Sequence, residues 1–286
     1  MTTTPASAIP FNIKDPYWSQ VHPGMPCRIK HRLILVRHGE SESNIELTTT
    51  GKTTEFSVDP GLTALGREQA QDVADFLEYK GIKYDDHVDK IHISPLWRAI
   101  QTALPTLNKS PYCDIKHSQP DPFDDYESFE PPEFNLYNEQ FCVDINYELR
   151  EKYSKEPYWV SMCDISEYAT YLIRKNFDLD HTCVQDEKKT TWLRQPETHL
   201  EFCERVASVM NDWKMKGSIE DRKQTIVFTH SQFISQLLSG DSKMSFHLAN
   251  GSISIIDIDE KNDLHVQVAN YTKHLRTPTG MHTCIF

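Results

Sequence analysis

Two short, mostly apolar runs, each followed by a histidine, constrain the fold of this chain more than any other feature. Residues 33–36 lead into Arg37 and His38, and residues 225–228 lead towards His230. An apolar run of this length is typical of a strand that is buried on both faces, as in a parallel sheet covered by helices. The two runs therefore predict interior strands of an α/β fold.

Helical segments alternate with the strands along the chain. Further strands are predicted at 88–93 and 112–117, with an edge hairpin at 253–258 and 264–268. Helices are predicted by apolar stripes and capping residues at 63–78, 165–176, 197–215 and 231–239. Ser94 and Pro95 predict the start of one more helix, with serine as its N-cap, and Pro105 is expected to end that helix near residue 103.

This alternation predicts an α/β protein with a mostly parallel central sheet sandwiched by helices. Residues 1–30 are proline-rich and are interpreted as an irregular N-terminal arm, and residues 31–286 as a single domain with an insertion at about 118–195. Residues 118–140 are acidic, aromatic and rich in proline. A solvated loop and a lid over a site both fit that composition.

Charge and hydropathy exclude several classes of protein. Acidic residues outnumber basic ones by 42 to 30, giving a net charge of −12, which disfavours binding to nucleic acid or to an anionic membrane. No apolar run approaches the roughly 20 residues of a membrane span, and the N-terminus lacks the pattern of a secretory signal. Seven cysteines without Cys-x-x-Cys spacing are typical of reduced thiols. We therefore expect a cytoplasmic protein with no nucleic-acid or membrane partner.

Cationic side chains follow three of the predicted strands at the point where each strand ends. They are Arg37 and His38, then Arg98, then His230. Ligands of open α/β sheets bind beyond the carboxyl ends of the strands. Arg98 also lies in the first turn of its helix, where backbone N–H groups and the helix dipole favour an anion. The sequence thus predicts an anion site at this edge of the sheet.

Five motifs, in order, resemble the histidine phosphatase superfamily, which is also called phosphoglycerate mutase-like. The first is Leu-Val-Arg-His-Gly-Glu-Ser at 35–41 with Asn44, and the others lie at 62–70, 94–103, 149–151 and 229–230. The resemblance extends over about residues 31–270. It implies a phosphoglycerate mutase-like fold and an enzyme that acts on phosphoric monoesters.

The resemblance also implies roles for the strand-end residues. His38 would attack phosphorus and form a phosphohistidine, which divides one difficult displacement into two easier ones. Arg37, Arg98 and His230 would hold the phosphoryl oxygens, where negative charge lies in the transition state.

Three further site residues follow from the same motifs. Asn44 and Ser231 would contact phosphate, although the family most often has glycine at the position of Ser231, and serine would be strained there if a positive φ were needed. Glu151 matches the general acid of the family, which protonates the leaving oxygen. Glu148, three residues earlier, is interpreted as a solvated loop residue.

The function implied by this resemblance is a metal-independent phosphatase that needs no cofactor. Its substrate would be a small phosphorylated molecule or a phosphoprotein. A phosphoglycerate mutase-type phosphotransferase would use the same residues, and a phosphate-binding module without activity would share the fold. The chain lacks the Gly-Trp-x-Asp pattern that is typical of glycolytic mutases after the position of Asn44, which favours the phosphatase.

Overall fold

The structure, a computed structural model, describes part of the chain. The described residues are 29–45, 60–80, 82, 88–108, 113–116, 133–136, 142–152, 197–215, 223–239 and 247–279. Residues 1–28 of the predicted N-terminal arm, the helix predicted at 165–176 and most of the predicted insertion lie outside these ranges, whereas Ile29 and Lys30 already belong to a strand. The division into an arm and one domain therefore stays a prediction.

Strands and helices alternate along the described ranges, as the sequence predicts. The strands are β1 Ile29–Arg37, β2 Val88–Ile93, β3 Cys113–Lys116, β4 Glu133–Leu136, β5 Cys142–Ile145, β6 Lys223–Thr229, β7 Ile253–Asp259 and β8 Leu264–Tyr271. The helices are α1 Ala64–Tyr79, α2 Trp97–Asn108, α3 His199–Met215 and α4 Ser231–Ser239. Thr63 caps α1 as predicted, because its Oγ1 accepts a hydrogen bond from the Gly66 backbone N–H at 3.0 Å.

The central sheet has six strands in the order β5-β2-β6-β1-β7-β8. The pairs β5–β2, β2–β6 and β6–β1 are parallel, whereas β1–β7 and β7–β8 are antiparallel, so the prediction of a mostly parallel sheet is confirmed. In the register of β1 and β6, Arg37 lies opposite Thr229. The two strands therefore end side by side, and the residues that follow them are neighbours.

Helices flank the sheet because both of its faces are apolar. Leu33 and Leu35 of β1 belong to a core cluster that includes Phe202 of α3 and Phe233 of α4. Alternate strand residues point to opposite faces, so the equally buried residues 34 and 36 belong to the other face. This double burial is the physical basis of the continuous apolar run in the sequence. No helix among the described residues has the length and hydropathy needed to cross a bilayer.

The predicted bounds of α2 were wrong at both ends. The helix begins at Trp97 rather than at Pro95, and the Ser94 hydroxyl, which accepts only a long hydrogen bond of 3.4 Å from the Leu96 backbone N–H, also lies 2.7 Å from Nε2 of His230. The helix then continues to Asn108 with Pro105 inside it. Proline removes one helical hydrogen bond, and the buried apolar side chains of this helix compensate for that loss.

Strands β4 and β5 lie within the segment that was predicted as an insertion, and neither was predicted from the sequence. β5 pairs with β2 in the main sheet, over Lys90–Ile93 and Cys142–Ile145. β4 pairs with β3 in a separate two-stranded sheet. β5 matters for function because the chain turns from its end directly into residues 147–151, which carry the predicted general acid.

Candidate active site

The parallel pairing of β1 and β6 brings two buried histidines together. His38 follows β1 and His230 follows β6, and their ring centroids are 5.2 Å apart. The exposed fraction of His38 is 2% and that of His230 is 0%. The structure therefore confirms the prediction that the ends of these two strands are adjacent.

The hydrogen bonds of His38 leave one ring nitrogen available for attack. Its Nδ1 lies 2.7 Å from the Gly39 carbonyl oxygen, which only accepts, so Nδ1 carries the proton. Nε2 then holds the lone pair, and Nε of Arg98 donates to it at 3.3 Å. Burial, together with the charges of Arg98 and Arg37, holds the pKa of His38 well below its ordinary value. His38 is therefore neutral at physiological pH.

Arg37 and Arg98 supply positive charge beside the two histidines. The Arg37 guanidinium donates to the Leu248 carbonyl oxygen, and its buried Nε has no hydrogen-bond partner among the described residues. Burial lowers the pKa of Arg37 to about 10, so the side chain keeps its charge near neutral pH. A buried N–H without a partner is costly, and an anion in the site would supply the acceptor.

Glu151 lies at the site and Glu148 does not. One oxygen of Glu151 accepts from the Gln232 backbone N–H at 3.1 Å, and the other is 3.9 Å from Nδ1 of His230. Burial raises the pKa of Glu151, although the charges of Arg98 and Arg37 oppose that effect. The side chain of Glu148 is 54% exposed and is 3.6 Å from Arg150. The register predicted from the Leu-Arg-Glu motif agrees with this geometry.

A buried ion-pair network, which the sequence analysis missed, fixes the backbone around Glu151. Glu197 accepts two hydrogen bonds from Arg205, at 2.7 and 2.8 Å, and one from Arg150 at 3.4 Å. Arg205 also donates to the Arg150 carbonyl oxygen at 3.2 Å. The Thr229 hydroxyl donates to the Leu149 carbonyl oxygen at 2.6 Å, which ties this segment to the end of β6. Glu197 and Arg205 lie in a segment that was predicted as a helix, and nothing in the sequence pattern indicated that these two charged side chains are buried.

Asn44 and Asn250 connect the loop after His38 to the start of β7. Nδ2 of Asn250 donates to Oδ1 of Asn44 at 2.9 Å and to the Gly39 carbonyl oxygen at 3.2 Å. Oδ1 of Asn44 also accepts from the Ser41 backbone N–H at 3.1 Å. A contact from Asn44 to phosphate would therefore use its Nδ2 amide, the donor of that side chain. Asn250 lies in a segment, residues 250–254, that also resembles the family, but the sequence analysis assigned no role to its side chain.

Serine in place of the family's usual glycine causes no backbone strain. Among the described residues the positive φ values belong to Gly251, Asn262 and Asn270, and Ser231 is not one of them. Ser231 begins α4, and its hydroxyl accepts from the Leu248 backbone N–H at 3.3 Å. Since Leu248 also holds Arg37, the side chain of Ser231 supports the site while its backbone N–H lies at a helix N-terminus.

Three residues of the site have the side chains of a metal-binding set. Ligand atoms of His38, Glu151 and His230 lie within 4.8 Å of one another. Two guanidinium groups belong to the same cluster, and their charges act on both histidines and on the carboxylate. Like charges repel, so this arrangement favours an anion over a cation.

Comparison with known proteins finds similarity to one family over part of the chain. Residues 33–119 match the sequence model of the histidine phosphatase superfamily (branch 1), and this range includes Arg37, His38, Asn44 and Arg98. The chain is 38% identical over 89 residues to a phosphoglycerate mutase from Candida albicans. It is 34% identical over 88 residues to a 2,3-bisphosphoglycerate-dependent phosphoglycerate mutase from Bartonella henselae. These matches cover 30% and 31% of this chain, and only 32% and 38% of the relatives' own length.

A solved structure shares the fold over a longer range. Phosphoglycerate mutase from Bacillus anthracis has a TM-score of 0.50 and 16% identity, with 87% of this chain and 96% of that chain covered. A structure titled mycobacterial hydrolase 1 also has a TM-score of 0.50, at 15% identity, with 86% and 100% covered. The protein thus has an α/β fold of the phosphoglycerate mutase-like kind. Over residues 33–119 its sequence is similar to the histidine phosphatase superfamily (branch 1).

Proposed function

We propose that this protein is a phosphatase that hydrolyses phosphomonoesters through a phosphohistidine on His38. The observation that carries the proposal is the pair of contacts on that ring. The Gly39 carbonyl oxygen fixes the proton on Nδ1, and the lone pair of Nε2 lies against Arg98. A nucleophile of this kind must be neutral and correctly oriented, and the buried ring of His38 is both.

In the first half-reaction, Nε2 of His38 attacks phosphorus and the bond from phosphorus to the ester oxygen breaks. Arg37, Arg98 and His230 donate to the phosphoryl oxygens, where charge accumulates in the transition state. Glu151 transfers its proton to the leaving oxygen, so that the alcohol departs neutral. The raised pKa of Glu151 supports this role, because a general acid must hold its proton near the working pH.

In the second half-reaction, water replaces the alcohol. The Glu151 carboxylate accepts a proton from water, whose oxygen attacks phosphorus while the bond to Nε2 of His38 breaks. Inorganic phosphate leaves and Glu151 is protonated again. One carboxyl group thus serves as acid and then as base, and the partly buried position of Glu151 beside the second histidine supports both steps.

A mutase is the second candidate, and it would differ only in the acceptor of the phosphoryl group. The curated relatives that match about a third of the chain are phosphoglycerate mutases. The absence of the Gly-Trp-x-Asp pattern favours water as the acceptor in this chain. Asn44 and Ser231 would contribute phosphate contacts in either reaction. The substrate would be a small phosphorylated molecule or a phosphoprotein, and the composition supports a cytoplasmic location.

The experiment that tests the proposal measures hydrolysis and transfer together. A panel of sugar phosphates, phosphorylated acids, nucleotides and a small aryl phosphate is incubated with the wild type and with His38→Ala. Release of inorganic phosphate by the wild type alone supports the phosphatase. Isomerisation of 3-phosphoglycerate faster than any phosphate release would favour the mutase, and no turnover of either kind would favour the binding module.

A further inference from the structure

We propose that Ser94 is a positioning residue that fixes the tautomer of His230, so that the neutral ring presents Nδ1–H to the phosphoryl group. The Ser94 hydroxyl oxygen lies 2.7 Å from Nε2 of His230, and both residues have an exposed fraction of 0%. Ser94 belongs to the motif that was predicted to cap a helix, and its side chain also contacts the candidate active site.

The contacts of the Ser94 hydroxyl decide which atom donates. Its oxygen accepts a long hydrogen bond, 3.4 Å, from the Leu96 backbone N–H. The hydroxyl proton is then left for Nε2 of His230, the other polar atom that contacts this oxygen among the described residues. If His230 donated from Nε2 instead, the buried hydroxyl would have no acceptor for its own proton, which is unfavourable.

The surroundings of Nδ1, the other ring nitrogen of His230, favour the same tautomer. Nδ1 of His230 is buried, has no hydrogen-bond partner among the described residues, and lies 3.9 Å from the Glu151 carboxylate. A lone pair on Nδ1 would repel both that carboxylate and a phosphoryl oxygen, whereas an N–H would attract them. His38 carries its proton on the same ring atom, yet it presents its lone pair to the site because its Nδ1–H bonds to Gly39.

The tautomer matters because His230 carries a single proton. Burial, followed by the charges of Arg98, His38 and Arg37, lowers the pKa of His230 well below its ordinary value. A neutral imidazole donates from one nitrogen only. The Ser94 hydroxyl, which occupies Nε2, therefore keeps that proton on the nitrogen that faces the site, and the Glu151 carboxylate beside Nδ1 favours the same tautomer.

Nuclear magnetic resonance of protein with 15N-labelled histidine tests the tautomer directly. In the wild type without substrate, we expect a protonated Nδ1 and an unprotonated Nε2 for His230, assigned by comparison with His230→Gln. In Ser94→Ala, we expect the signals to shift towards the tautomer with the proton on Nε2. A wild-type His230 that is protonated on Nε2, or on both nitrogens, overturns the proposal without any need for a variant.

Binding of inorganic phosphate supplies a second readout. Ser94→Ala should weaken the binding roughly 10-fold, the loss expected for a hydrogen bond to a charged group, and Ser94→Thr, which keeps the hydroxyl, should restore most of it. Thr106→Val is the matched control, because it removes a buried hydroxyl that, unlike that of Ser94, has no hydrogen-bond partner among the described residues. Equal affinity in Ser94→Ala and the wild type would contradict the proposal.

The inference rests on the proposed function only in saying what the tautomer is for. The tautomer and the phosphate affinity are both measured without turnover, so they can be tested independently of it. If the tautomer and the phosphate affinity behave as expected but no ester is hydrolysed, Ser94 keeps its role and the phosphatase assignment fails. If esters are hydrolysed but His230 has the opposite tautomer, the assignment stands and the role of Ser94 is wrong.

Discussion

Gly39 and Gly66 meet backbone to backbone, and neither position has room for a side chain. A Cβ atom on Gly39 would lie 2.4 Å from the Gly66 carbonyl oxygen, and one on Gly66 would lie 1.9 Å from the Glu40 carbonyl oxygen. This contact packs the start of α1 against the loop that carries His38. It explains why glycine is required in two separate motifs.

We therefore expect Gly66→Ala to destabilise the fold. Backbone atoms would have to move to make room for the methyl group, which should lower the free energy of unfolding by about 1–3 kcal/mol or more. Urea denaturation measures the effect. Glu68→Ala, at an exposed position of the same helix, should change it by less than about 0.5 kcal/mol. Equal stability of Gly66→Ala and the wild type would mean that the loop after His38 is not packed against α1.

The sequence predicts the sheet and the strand-end residues because both depend on local patterns. Buried strands need continuous apolar runs. Parallel pairing then places Arg37, His38 and His230 at one edge of the sheet, so their proximity can be predicted from the strands alone. Arg98 is predicted correctly in the first turn of its helix, although that helix begins later than expected.

The sequence-based predictions are wrong or incomplete where tertiary contacts outweigh the local conformational preference of a residue. Ser94 has the local pattern of an N-cap, but its hydroxyl also contacts His230, which is 136 positions away. Pro105 is tolerated because its helix is buried. Glu197 and Arg205 are ordinary helix-surface residues by type, and only the fold makes them a buried pair beside the site. Asn250 supports the site through long-range contacts to Gly39 and Asn44, and these contacts were not predicted from the sequence.

Glu197→Gln should destabilise the protein through its effect on two buried cations. The side chains of Glu197, Arg205 and Arg150 are 8%, 5% and 10% exposed. Removing the carboxylate leaves two guanidinium groups without their shared counter-charge, which should cost about 3–5 kcal/mol of unfolding free energy. Thermal and urea unfolding check this result, with Glu204→Gln at an exposed position of α3 as the control. Similar stabilities for both variants would show that the network contributes little.

Glu151→Gln should impair turnover according to the leaving group. A general acid matters for a basic alcohol and little for an activated phenol, so kcat should fall about 10²–10⁴-fold on an alkyl phosphate and much less on an aryl phosphate. Glu148→Gln is the matched control and should leave both rates unchanged, since that side chain is exposed. If the effects of the two variants are reversed, Glu148 is the acid.

The pH dependence of turnover should follow the pKa shifts of two groups. Because the pKa of Glu151 is raised, the protonated acid persists towards neutral pH, and activity should fall as pH rises through that raised value. Because the pKa of His38 is lowered well below its ordinary value, its neutral form survives at acidic pH, and the acidic limb should lie below pH 6.5. A pH–rate profile should lose its alkaline limb in Glu151→Gln. An unchanged profile in that variant would assign the limb to another group.

Chelation of metal ions should leave activity unchanged. Arg37 and Arg98 match the charge of the phosphoryl group, so the proposed reaction needs no divalent cation. Activity on an aryl phosphate is compared before and after treatment with EDTA, and again after Zn²⁺ or Mg²⁺ is added. Loss of activity that a divalent metal restores would make His38, Glu151 and His230 the first candidates for its ligands.

Trapping of the phosphoenzyme tests the central claim most directly. The wild type is mixed with a radioactive phosphomonoester, quenched rapidly in denaturant, and assayed for label that is stable in alkali and labile in acid, as expected for a phosphohistidine. Label should appear in the wild type and in His199→Ala, an exposed control position, and should be absent from His38→Ala. Label that persists in a folded His38→Ala protein would contradict the account, because the phosphoryl group would then be carried by another residue.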